Sequence, residues 1–189
     1  MNEVVWQEQV SKRVWPLQVI VAALVAGCAF FFVVALILPP PGAHGVAGER
    51  PLQITWVALA FLFVIVAARF VLPTIVVRKG RGGIARGTFS LPQTRDAPLQ
   101  GSREELEQMG DAGRLFVLYQ TKTIIGAALI EGVTFFMIIA YLAERQMLAL
   151  GIAIALILAV AAHMPTRAGV VHWIEDQLRF VEEERAFGR

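Results

Sequence analysis

A glutamate stands near the middle of an oily run, Thr123 to Leu142, "TIIGAALIEGVTFFMIIAYL". A carboxyl group in that position suits one kind of chemistry. Low dielectric disfavours its charged form, so it exchanges a proton or holds a cation when water or a donor reaches it. At 100° per residue, Gln120, Ala127, Thr134 and Ile138 project on the same helical face as Glu131. The Thr134 hydroxyl is then a candidate hydrogen-bond donor to the carboxylate. Gly126, Ala127, Ala128 and Gly132 keep the region slim, which lets another helix or water come close. The only other strongly ionisable residue well inside an apolar run is Arg69, the candidate counter-charge. Helical rise counted from the polar ends puts Arg69 about 12 Å deep and Glu131 about 20 Å deep. That mismatch is near the reach of an extended arginine, and snorkelling of Arg69 to the surface is the alternative. The candidate ion-binding set is therefore Glu131, Thr134 and Gln120, with Arg69 opposite.

Insertion of this run needs no partner for Glu131. A central acidic residue costs roughly 2.5–3.5 kcal/mol, and some ten Leu, Ile, Phe and Val residues at about 0.3–0.6 kcal/mol each return as much or more. The carboxylate thus has two readings: a proton or cation site, or a neutral, hydrogen-bonded group that fixes helix register.

Other chemistry is thin. Cys28 is the single cysteine, which excludes an internal disulfide and most metal motifs. His163 precedes Pro165 at a span end and reads as an interfacial histidine, with a step in a proton path as the other reading. No paired carboxylates, histidine cluster or Ser-His-Asp set falls at one membrane depth. "GRGG" lacks the strand, helix and lysine of a phosphate loop. No enzyme activity, cofactor, metal or nucleic-acid partner is expected.

The elements that must position Glu131 follow from hydropathy. With 57 % hydrophobic and 17 % charged residues, the chain is too apolar for an ordinary soluble domain. Four runs have the roughly 20 residues needed to cross a bilayer: about 17–38, 54–77, 116–142 and 147–164. The expected fold is all-α, a polytopic four-helix transmembrane bundle over 17–164. A cytoplasmic segment 1–16, a cytoplasmic loop 78–115 and a cytoplasmic amphipathic tail 165–189 flank it. The first run follows Lys12 and Arg13 but is too long for a signal and lacks a cleavage site, so it reads as a retained anchor. Arg78, Lys79, Arg81, Arg86, Arg95, Arg103 and Arg114 crowd the central loop, whereas the other two loops carry only Arg50 and Arg145, each beside a glutamate. Positive charge stays inside, so both termini face the cytoplasm of a multi-pass protein in the cell (inner) membrane.

Within the central loop, residues 78–98 read as irregular, solvated chain near anionic headgroups. Ser102 and Glu105 form a capping-box signature for a short helix that Gly110 and Gly113 would end. Small residues repeat at Gly151, Ala155 and Ala159, at Ala22 and Ala26, and at Ala23 and Gly27, the spacing of helix-packing faces. In the tail, Val170, Ile174, Leu178 and Val181 form one apolar stripe, suited to lying on the membrane or the cytoplasmic loop, or to docking a partner.

The stretch "QTKTIIGAALIEGVTFFMIIAYL", Gln120 to Leu142, resembles the carboxylate-bearing second helix of the c subunit of F-type ATP synthases. The resemblance implies that Glu131 falls on that family's ion-carrying carboxylate and Thr134 near positions that help hold the ion or proton. It covers about 23 of 189 residues. The preceding span has no glycine, its Trp56, Phe61, Phe63 and Phe70 would crowd a ring, and the family's short Arg-Gln-Pro-type loop is absent. The whole chain is similar to uncharacterised four-span bacterial membrane proteins. The expected partners are the lipid bilayer and either copies of itself or a larger membrane complex. The alternative function is structural or scaffolding, without transport.

Overall fold

The computed structural model describes residues 3–39, 53–91 and 100–187. The loop between the first two spans, expected to lie outside, the end of the irregular stretch around Arg95, and the Ser102 side chain fall beyond the described residues. The described chain is all-α: α1 (Glu3–Ile37), α2 (Gln53–Ala85), α3 (Gln100–Gln108), α4 (Asp111–Glu144), α5 (Met147–Ala162) and α6 (Arg167–Phe187). Three helices, α1, α2 and α4, are long and apolar enough to cross a membrane, and the broken pair α5 and α6 makes a fourth when counted as one span. The chain is a multi-pass membrane protein. The 16 residues of α5 rise only about 24 Å, short of the roughly 30 Å of a hydrocarbon core.

Helices of 33 to 35 residues rise about 50 Å, well beyond what the hydrocarbon requires. The surplus is structured. The chain divides into two compact units: residues 1–18, 72–124 and 165–189 form the first, and residues 19–71 and 125–164 the second.

The first unit has its own core. Trp6, Val10 and Val14 of α1 pack with Ile84 of α2, Met109, Leu115, Phe116 and Leu118 around α4, and Val170, Ile174 and Val181 of α6. The α6 stripe is the one its spacing predicts, except that Gln177 is buried and Leu178 only partly so. Polar pairs cross between helices around this core. Gln7 donates to Glu175 at 2.8 Å, Arg81 meets Glu184 at 2.7 Å, Arg185 meets Asp111 at 2.8 Å, and Arg13 pairs with Glu105. Thr166 opens α6 by accepting the Gly169 N–H at 3.2 Å.

The expected irregular stretch starts as helix: Arg78–Ala85 continues α2. It stops in a Schellman motif, with Gly87 at φ 72, the Gly87 N–H on the Ile84 carbonyl and the Thr88 N–H on the Gly83 carbonyl. Arg185 adds donors to the Ile84 and Ala85 carbonyls at 3.3 and 3.4 Å. Gly110 at φ 60 separates α3 from α4. Gly113 instead lies inside α4, where a Cβ would collide with the Leu106 carbonyl, so it joins two helices rather than breaking one. Helix α3 begins at Gln100, two residues before the expected cap at Ser102.

In the second unit Ala35, Ala58, Val133, Met137, Ile138, Ala140, Ala149 and Ala153 form one cluster, and Val21, Ile130 and Val160 another. The small-residue rows do not make these seams. Ala22, Ala23, Ala26, Gly151 and Ala155 face outward, and the buried rows are Val21, Cys28 and Ala35 on α1 and Ala149, Ala153 and Val160 on α5. On α5 the buried row still holds small residues, Ala149 and Ala153, each two positions before the expected Gly151 and Ala155.

The turn between α4 and α5 carries a double clasp. The Glu144 carboxylate accepts the N–H groups of Ile54 and Thr55, at 2.5 and 3.0 Å, at the start of α2. Its neighbour Arg145, in the left-handed region at φ 55, donates to the Ala35 carbonyl at 3.3 Å and to the Leu38 carbonyl at the end of α1. Acid at a helix N-terminus and base at a C-terminus both oppose the helix dipole.

Candidate functional site

Glu131 lies on α4 in the second unit, half-buried, between buried Ile130 and exposed Gly132. Buried Cys28 of α1 is within its electrostatic reach. Among the described residues Glu131 has neither a hydrogen-bond nor an ion-pair partner. Ile130, its neighbour, packs on Val21 and Val160, with Val25 and Leu156 beside them, so the walls nearby are hydrocarbon.

The residues expected to assist it are directed elsewhere. The Thr134 hydroxyl donates to the Ile130 carbonyl at 2.8 Å, four residues back on its own helix, and Thr134 is fully buried. A helical threonine always has that carbonyl in reach, and in an apolar interior its hydrogen goes there. Gln120 belongs to the first unit; eleven helical residues separate it from Glu131, a rise of about 16 Å. Sharing a wheel face does not bring two side chains to one ion when three turns lie between them.

Arg69 makes no ion pair with Glu131. Its guanidinium lies against Gly126, where an added Cβ would stand 3.0 Å from Arg69 Cζ. Gly126 precedes Glu131 by five residues, about 7.5 Å along the axis, close to the depth mismatch expected from helical rise. Arg69 Nε is buried without a hydrogen-bond partner. Gly126 thus serves as a notch for a cationic side chain, a role that the small-residue run did not reveal. His163 is exposed and its Nδ1 lies 2.7 Å from the Ala159 carbonyl, a local helix-end contact. No group of three or more His, Cys, Asp or Glu residues able to hold a metal is present among the described residues.

The arrangement is therefore a single carboxylate in an apolar setting, open on the Gly132 side, where a built Cβ would meet nothing within 4 Å. It can hold a proton. It does not gather the several oxygen ligands that a hard cation takes. No protein-family model, no curated protein and no solved structure matches this chain.

Proposed function

We propose that this protein works in the cell (inner) membrane, with both termini cytoplasmic, by taking up and releasing a proton at Glu131, as a copy in a homo-oligomer or a subunit of a larger membrane complex. The observation that carries this reading is the unpartnered carboxylate of Glu131 in an apolar bundle. A bare charge there is costly, and a proton removes the cost without further ligands. A proton is favoured over a metal cation because Thr134 is turned to its own backbone and Gln120 is three turns away. The open side at Gly132 gives a route for exchange, through water or through a neighbouring helix.

Reconstituted protein tests it. A hydrophobic carbodiimide should label Glu131 in a pH-dependent way, and Glu131→Gln should abolish both labelling and proton flux while the variant still folds. Absence of labelling and flux in the parent protein overturns the proposal.

A structural role without transport is the second reading. It draws on the Glu144–Arg145 clasp, which fixes three helices without any help from Glu131. It predicts that Glu131→Gln is tolerated, that Glu131→Leu destabilises, and that neither background carries flux.

A further inference from the structure

Two opposite charges lie in the apolar part of the second unit, and neither is answered within the chain. Glu131 of α4 has no hydrogen-bond or ion-pair partner among the described residues. Arg69 of α2 lodges against Gly126, with Nε enclosed and unsatisfied. A bare charge in hydrocarbon is costly, and a pair between the two would remove both costs. The fold keeps them apart. Helix α2 meets α4 on the side of Gly126 and Phe136: Arg69 lies against the first, and Phe61 packs edge-on against the second at 5.5 Å. At 100° per residue, Glu131 projects about 140° from Gly126 one way round the helix and about 140° from Phe136 the other way. Glu131 therefore points directly away from α2, and stands instead within electrostatic reach of Cys28 on α1.

Depth, by contrast, suits a pair. The rise from Gly126 to Glu131 is about 7.5 Å, and a helical side chain leans toward the N-terminus of its helix, here toward the level of Gly126. The length of an arginine covers the remainder. Rotation about the membrane normal preserves the depth of every residue, so it can set Arg69 of one copy beside Glu131 of the next. Both side chains are half-buried and keep an edge on the surface. Beside Glu131, Ala128 and Gly132 are exposed and slim, and a Cβ built at Gly132 meets nothing within 4 Å. Beside Arg69, Val66 and Phe70 are exposed and bulky. A slim face lets a bulky one come close.

We infer that copies of this protein associate side by side in the membrane, α2 of one against α4 of the next, with Arg69 pairing across the interface with the Glu131 carboxylate. The pair rests on the reading of Glu131 as a proton site: it answers the charge left when the proton departs. The partner is a second copy because one chain carries both halves of the pair on opposite sides, at depths that match only between chains.

Membranes holding two differently tagged full-length copies, both Cys28→Ala, test it. One copy carries Val66→Cys and the other Ala128→Cys, so both charges stay in place. A short bismaleimide should join them into a product bearing both tags. Leu158→Cys, exposed on α5, should give no such product with Val66→Cys. Arg69→Gln or Glu131→Gln in both copies should lower the yield about tenfold. Exchange of the charges, Arg69→Glu with Glu131→Arg in each chain, should bring the yield back, which separates a lost pair from a lost fold. Absence of a two-tag product, as when a lipid phosphate answers Arg69 instead, overturns the inference. So does a yield that survives both Gln substitutions, or a Leu158→Cys copy that joins as readily. Carbodiimide labelling and proton flux are read on the same membranes. Labelling and flux without the two-tag product keep the proton reading and discard the interface; a charge-dependent product without them keeps the interface and discards the proton reading.

Discussion

At the scale of the residue, the sequence pointed to Glu131 and the structure isolates it. Its carboxylate was legible because a charge in an oily run needs no neighbours to be noticed. Its surroundings were not, because a helical wheel reports angle and says nothing of axial distance or of competing acceptors. Thr134 had two acceptors to choose from, and its own backbone won. This gives a direct expectation. Thr134→Val should leave carbodiimide labelling of Glu131 and any proton flux unaltered, and should shift stability by no more than about 1 kcal/mol. A fall in labelling comparable to that of Glu131→Gln would instead make Thr134 a ligand. Arg69 teaches the same lesson from the other side. Gly126 offers its guanidinium a place on α4 before it can reach Glu131.

Elements were read well where apolar runs are long and poorly where glycine and arginine alternate. The segment Arg78–Ala85 has three glycines, and intrinsic propensity argues against a helix there. Tertiary contacts override it. Leu118 packs onto Gly80 where a Cβ would collide, Ile84 is fully buried, and Arg185 caps the end. The glycine that does stop α2 is Gly87, whose left-handed φ lets the Schellman bonds close. The α4–α5 turn was read only as charge-poor, yet its two charges fasten opposite helix ends. Exchanging them, Glu144→Arg with Arg145→Glu, keeps the net charge and reverses both dipole contacts. The double variant should lose roughly 2–4 kcal/mol, seen as a lower Tm in detergent. An unchanged Tm would mean that the clasp is ornamental to stability.

Across the whole molecule, the apolar bundle was foreseeable from composition, whereas the first unit was not. Its core draws on three separated stretches, and each contributes a few apolar residues that alone mark only an amphipathic helix. In the second unit, by contrast, large apolar side chains such as Phe30 and Phe63 are 71 % and 75 % exposed, as lipid-facing residues are. The proposed sidedness rests on the distribution of charge. In a Cys28→Ala background, cysteine introduced by Asn2→Cys or Arg189→Cys should react with an impermeant thiol reagent only after the cytoplasmic side is opened. Gly45→Cys should react in intact cells. Reversed labelling would invert the topology and with it the direction of any proton movement. The clasp also sets an order on biogenesis. The end of α1 and the start of α2 leave the ribosome 89 to 110 residues before Glu144 and Arg145, so these polar termini lack their clasp until the α4–α5 turn arrives. Arrival of the α4–α5 turn is thus the event that satisfies both helix ends at once.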